Sequence, residues 1–162
     1  MQVADGHSVV ELTASLEAQR EAAGIWARAT AKRDHLPTVP SIEDKLTGIQ
    51  QALTAAGASL HLARRGQSAV GFCILVPQED CLEVRYLATD PEAWGSGAGR
   101  ALLEHVRQHA RRADFPRGEL WVIADNVRAI NVYARAGWVA TDAVEERGSA
   151  GRLERRFVRD FR

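Results

Sequence analysis

The stretch Asp90-Pro91-Glu92-Ala93-Trp94-Gly95-Ser96-Gly97-Ala98-Gly99-Arg100 carries the clearest chemistry in this sequence. Three alternating glycines let a backbone approach a ligand closely, and a helix starting beyond them offers free N–H groups at its positive dipole end. Such a loop suits a phosphate. Spacing narrows which one. A P-loop ends in Gly-Lys-Ser/Thr, but Gly99 is followed by Arg100 and Ala101. A dinucleotide fingerprint counted from Gly95 puts its third glycine at Arg100. Both fail. A turn that holds no ligand is the plain alternative. Cys73 and Cys81 fit neither a zinc pattern nor a disulfide framework and read as buried small hydrophobes. His105 and His109 lie four apart on a helix, but Val106 stands where a zinc protease carries glutamate, so they read as surface residues and no metal is expected.

The elements that must position this loop follow from periodicity and punctuation. Val9 to Leu12 reads as a short strand, and Thr13 or Ser15 caps a helix reaching about Arg33. Asp34 to Pro40 is a break with two prolines, after which Ser41-Ile42-Glu43-Asp44 opens a helix that Gly57 can close. Strands are predicted over 60–65, 70–76 and 81–89. In the third, Leu82, Val84, Tyr86 and Ala88 share one face, and Glu83, Arg85 and Leu87 the other. A helix runs from about Gly97 to Ala113 with Leu102, Val106 and Ala110 on one stripe. Glu119 to Ala124 is a strand, Val127 to Ala136 a helix capped by Gly137, and 138–146 and 152–159 pair as a closing hairpin. The order β α α β β β α β α β β predicts an α/β (α+β) fold. Its central sheet is mixed and mostly antiparallel, of about six or seven strands flanked by about four helices.

Composition bounds the class. A chain of 162 residues, 46% hydrophobic and 26% charged, is one ordinary domain and neither disordered nor collagen-like. No apolar run is long enough to span a membrane, and Met1 to Gly6 lacks a basic leader, so the expected compartment is the cytoplasm, without membrane partners. Twenty-one basic against twenty-one acidic residues leave no net charge, which speaks against a nucleic-acid partner. From Arg147 to Arg162 six arginines face Glu154 and Asp160, which reads as an edge strand dressed with charge against aggregation.

The segment Thr89-Asp90-Pro91-Glu92-Ala93-Trp94-Gly95-Ser96-Gly97-Ala98-Gly99 resembles the cofactor motif of the GNAT superfamily of acetyl-CoA-dependent N-acetyltransferases. Thr89 replaces its usual valine and Trp94 its usual glutamine or arginine. The second family motif is matched by Asn126, Ala129, Tyr133, Gly137 and Trp138. The resemblance covers about Ala69 to Phe157. It implies a single GNAT-like domain over 1–162, with an acetyl-CoA-binding core over 69–157 and acceptor-shaping helices in 1–60. It implies acetyl-CoA as co-substrate, bound by the backbone of Leu87, Ala88 and Thr89 along the pantetheine arm. Backbone N–H groups from Gly95 through Ser96, Gly97, Ala98 and Gly99 to Arg100 would hold the pyrophosphate. Trp94 is tolerable there if it contributes only backbone. Asn126 resembles the family's pantetheine contact, with a plain N-cap as the alternative.

The same resemblance assigns Tyr133 as the acid that protonates the departing thiolate, a task a phenol of pKa near 10 can perform. Glu83 is the candidate base, and an ion pair with Arg85 is its structural alternative. The implied reaction is acetyl transfer to a primary amine by direct attack, with no acetyl-cysteine. Trp121 stands five residues before Asn126, where enzymes of ribosomal-protein N-termini often carry glutamate, so a small-molecule amine (a metabolite or an amine-bearing antibiotic) is favoured. Trp26, Arg33, Asp34 and His35 are candidates for its pocket. Protein lysine or N-terminal acetylation is the second reading, and a non-catalytic acetyl-CoA-binding module the third. A homodimer is left open.

Overall fold

The computed structural model describes residues 8–148 and 151–162; residues 1–7, with the expected absence of a leader, and two residues of the charged tail, Ser149 and Ala150, lie outside the described residues. One seven-stranded sheet runs in the order β1-β2-β3-β4-β5-β7-β6, built from β1 (Val9–Thr13), β2 (Ser59–Arg65), β3 (Ser68–Pro77), β4 (Leu82–Thr89), β5 (Arg117–Ile123), β6 (Val139–Arg147) and β7 (Arg152–Asp160). Among the described residues only β4 and β5 pair in parallel. Helices α1 (Leu16–Arg33) and α2 (Ile42–Ala52) cover one face, α3 (Ala98–Arg112) and α4 (Val127–Arg135) the other.

Local sequence accounts for these elements. Ser15 caps α1 by accepting from the Ala18 N–H at 3.0 Å. Ala18, Ala22 and Ala23 then let the helix lie close over Leu60, Leu62, Phe72 and Ile74. Strand β3 is apolar on both faces from Val70 to Val76 because helices cover both sides of the sheet there. Leu102, Leu103, Val106 and Ala110 form the buried stripe of α3, and full burial of each leucine contributes roughly 1.5–3 kcal/mol.

Four expectations are corrected. Helix α2 ends at Ala52, not near Gly57; the chain continues in turns, and Gly57 (φ +73°) turns it into β2. Strand β7 is interior, lying between β5 and β6, so the edge strand of the closing hairpin is β6. In β4, Leu75 pairs with Val84 and Ile74 with Tyr86, which leaves Arg85 as the extra residue of a β-bulge. The bulge exchanges the faces. Leu82 and Val84 pack with Leu87 on the α3 side, whereas Tyr86 and Ala88 turn to the α1 side. Glu83 and Leu87 therefore point to opposite faces. His105 and His109 are half-buried and meet the buried His61 of β2, so they are not free surface residues.

Candidate active site

The loop between β4 and α3 is built to present backbone. Asp90 Oδ1 accepts from the Glu92 N–H at 3.1 Å and starts a short 3₁₀ turn, Pro91–Ala93. Gly95 (φ +79°) and Gly97 (φ +94°) then adopt left-handed conformations that side-chain-bearing residues resist. The first helical bond beyond them runs from Ala101 N–H to Gly97 C=O at 2.9 Å. The N–H groups of Gly95, Gly97, Ala98, Gly99 and Arg100 have no backbone partner among the described residues. A Cβ at Gly95 or Gly97 would meet nothing within 4 Å, so the backbone is open to a close approach at both positions. That is the geometry a pyrophosphate requires, and acetyl-CoA fits it.

Side chains hold the loop in this shape. Arg28 of α1 grips Asp90 with two hydrogen bonds (3.0 and 2.7 Å), and Arg65 donates to Ser96 Oγ at 3.0 Å. The Trp94 indole N–H donates to the Thr89 carbonyl at 3.0 Å, and the Arg128 guanidinium stacks 3.7 Å above its ring. Trp94 thus has a side-chain task, tying the loop to α4, which the backbone-only expectation missed. It also occupies the Thr89 carbonyl, so Leu87 and Ala88 offer the freer backbone along β4.

Strands β4 and β5 pair only through Leu82–Gly118, Glu83–Glu119 and Val84–Leu120. Past Val84 they part, and the β4 edge from Tyr86 to Thr89 is open, as an added extended ligand needs. Asn126 caps α4, its Oδ1 accepting from the Ala129 N–H at 3.3 Å. The N-cap alternative is therefore realised, and its amide N–H₂ has no partner among the described residues. Tyr133, seven residues on, is 8% exposed and packs near Cys73, the cross-strand partner of Leu87. Burial pushes its phenol up to about 12, with Arg128 pulling the other way. The phenol stays protonated at neutral pH, in the form that can donate a proton.

The α1 side of the sheet is dense in ion pairs. Glu83 accepts from Gln78 at 2.8 Å and from Arg85 at 2.9 Å twice. Burial raises its carboxyl, but the Arg85 and Gln78 hydrogen bonds outweigh that and hold it below the usual range. The ion-pair alternative is what the structure shows, and it makes Glu83 a poor base. Of the pocket candidates, Trp26 packs at a tilt against Tyr86 (centroids 4.5 Å apart), and Asp34 accepts from Arg33 at 2.9 and 3.0 Å and from Arg152 of β7 at 2.9 Å. His35 departs from this group. It lines a separate groove of about 680 Å³ with Arg28, Lys32, Asp90 and Glu92.

The sequence matches the family model for the acetyltransferase (GNAT) family over residues 24–138. The chain belongs to the GNAT acetyltransferase family. A mycothiol acetyltransferase of Kineococcus radiotolerans is 39% identical over 88 residues, which make up 52% of this chain and 28% of that protein. The chain therefore spans well under two thirds of such a relative. The ribosomal-protein-S18-alanine N-acetyltransferase of Escherichia coli superposes with a TM-score of 0.74 over 96% of this chain and 94% of that one, at 18% identity. The paia N-acetyltransferase of Thermoplasma acidophilum, solved in complex with coenzyme A, gives 0.69 over 94% and 99%, at 15% identity. These structures share the GNAT fold.

The remaining reactive side chains lie off this GNAT site or are held inert. Burial pushes the Cys73 thiol up, and burial with the nearby Glu119 carboxylate pushes Cys81 up to about 11, so neither is a ready nucleophile. His61 shares hydrogen bonds with Ser59 Oγ at 2.7 Å and with His105 at 2.8 Å. Among the described residues no group of three or more His, Cys, Asp or Glu is arranged to hold a metal ion, and no helix is long and apolar enough to cross a membrane. Sequence alone could not find this cluster, because it joins β2 to a helix more than forty residues away.

Proposed function

We propose that the protein transfers acetyl from acetyl-CoA to the primary amine of a small molecule, by direct attack within a ternary complex. The observation that carries this reading is the continuity of unengaged groups on the α3–α4 face. Free N–H donors at Gly95 and Gly97–Arg100 lead onto the open β4 edge at Leu87 and Ala88, with Tyr133 packed alongside. The donors suit the two phosphates and the edge suits the extended arm. Bound acetyl-CoA supplies the activated acyl group. Asn126 offers its amide to the arm, and Tyr133 donates its phenol proton to the sulfur as the C–S bond breaks. The division of labour follows the two faces: 69–157 holds the donor substrate, and the helices of 1–60 shape the acceptor side. The cytoplasm is the setting that fits this chemistry, because acetyl-CoA must be available there.

A small acceptor is favoured by Trp121, whose indole N–H donates to Glu119 at 3.0 Å and so offers no carboxylate to a peptide amine at that point. The similarity to mycothiol acetyltransferases points the same way. The test is release of free CoA with a panel of polyamines, amino acids, aminoglycosides and short peptides. Turnover with a small amine, and none with peptides, is the expected result. Turnover with peptides alone would move the protein to the protein-acetylating reading. Acetyl-CoA binding without turnover on any amine would make it a binding module.

A further inference from the structure

The acceptor face lacks a base once Glu83 is tied up. Three neighbouring carboxylates share that condition. Asp34 is held by Arg33 and Arg152, Glu119 by Trp121 and by Arg156 at 3.2 Å, and Glu145 by Arg147 at 3.3 Å. Glu154 differs from these three: half-buried on β7, it has no hydrogen-bond or ion-pair partner among the described residues, and Asp125, the other unpaired carboxylate near Arg152, is exposed.

Its place in the sheet gives that freedom a use. Phe157 of β7 is buried with the α3-side core, so by alternation Glu154 lies on the opposite face with Arg152 and Arg156, which contact Asp34 and Glu119. Glu154 pairs across the ladder with Ile123, at the end of β5 that has already parted from β4. One strand spacing, about 4.8 Å, therefore separates it from β5, the strand that borders the opening. The charged groups around it are Arg147 and Glu145 from β6, Arg152 and Arg156 from β7, Arg33 and Asp34 from the end of α1, and Asp125 just past β5. Trp121 and Ile123 of β5 supply its uncharged surroundings. Burial raises the Glu154 carboxyl above the usual range, and Arg147 and Arg33 offset this in part. A carboxylate so placed is a better proton acceptor than the arginine-bound ones beside it. It also falls outside the stretch 24–138 that matches the family.

We propose that Glu154 is the base that takes the proton the acceptor's ammonium must lose before attack, an assignment that rests on the acetyl-transfer reading above. The balance closes. One proton passes from the ammonium to Glu154 and on to solvent. The freed nitrogen forms the C–N bond as the C–S bond breaks. Tyr133 gives its proton to the sulfur and recovers the second proton of the nitrogen.

The test is Glu154→Gln, nearly isosteric at a half-exposed position, assayed with the best amine of the panel across pH 6–9. The expected result is a fall of roughly 10²-fold in kcat/KM at pH 7. The gap should narrow toward pH 9 as the amine deprotonates unaided, and calorimetry should find the acetyl-CoA Kd within twofold of wild type. A variant within threefold of wild type at every pH overturns the assignment, as does a uniform loss at every pH or a loss of acetyl-CoA binding. A wild type that releases no CoA with any amine brings down the acetyl-transfer reading and this assignment together. An active wild type with an undiminished variant brings down only the assignment.

Discussion

On the α3–α4 face the groups free to act belong mainly to the backbone, whereas on the α1–α2 face they are side chains held by one another. The loop at Gly95–Arg100 presents N–H donors whose positions follow from two left-handed glycines and the start of a helix. Across the sheet, Arg85, Arg156, Arg33, Arg152 and Arg147 each neutralise a carboxylate. The first arrangement suits a ligand that never changes, because a phosphate is met by any correctly placed N–H. The second suits a site whose shape can be altered one side chain at a time without disturbing the sheet.

The sharpest way to break this comparison is through Tyr133, the one side chain on the backbone-rich face given a proton to move. Tyr133→Phe keeps the ring against Phe157 and the fold with it. Single-turnover transfer should slow by roughly 10²-fold while acetyl-CoA affinity changes much less. Transfer as fast as wild type would reduce the tyrosine to packing and leave the face with backbone chemistry alone.

The next effect is on binding. Gly97→Val must hold φ near +94°, where a β-branched residue is strained by about 1–3 kcal/mol, although a Cβ there has room. The loop should reshape, and acetyl-CoA should bind at least tenfold more weakly, about 1.4 kcal/mol by calorimetry. Undiminished affinity would show that the left-handed turn is not what aims the donors.

How much of this was legible in the sequence follows the same divide. The Gly loop, the apolar run of β3, the α3 stripe and the Asn126–Tyr133 spacing each leave a mark within a few residues, because backbone conformation and helix period constrain residue type locally. The bulge at Arg85 leaves none: one inserted residue reverses the faces of β4 without any change in composition. The interior place of β7 depends on pairing between β5 and a strand about thirty-five residues later, which no local pattern announces. Alternation alone places Glu83 on one face with Leu87 and reads Glu154 as part of a charged edge, because neither the bulge nor the interior place of β7 has a local signature.

A smaller effect tests how α3, which carries the loop, is seated. His61 is 1% exposed, and burial with the neighbouring His105 and His109 lowers its pKa to about 3. An unfolded histidine titrates near 6.5, so between these values the unfolded chain binds the extra proton. Stability is then fully present above about 6.5 and drains away as pH falls toward about 3. By pH 5.5 the loss should be about 1 kcal/mol. Denaturant melts at pH 7.5 and 5.5 should show it, and His61→Gln should flatten the difference. Equal slopes in both proteins would assign the acid sensitivity elsewhere.

The smallest effect falls where the proposed acceptor side is tied together. Asp34 ends α1 and joins it to β7 through Arg152, with Arg33 closing the other side. The Arg33 hydrogen bond, against the cost of burial and with Arg152 assisting, holds Asp34 well below the usual carboxylate range. The bridge is therefore charged throughout the neutral range, and it fails only as pH drops below the ordinary aspartate value near 4. Both arginines are about a third or more exposed, so solvent screening limits the bridge to no more than about 1 kcal/mol. Asp34→Asn should lower the melting temperature by only a few degrees. The informative change is in function. With the bridge cut, the helix end can drift from β7, and the KM for the acceptor amine should rise severalfold while the acetyl-CoA Kd stays put. If both constants rose together, the two faces would be one mechanical unit, and the separation of backbone-held donor from side-chain-held acceptor would be wrong.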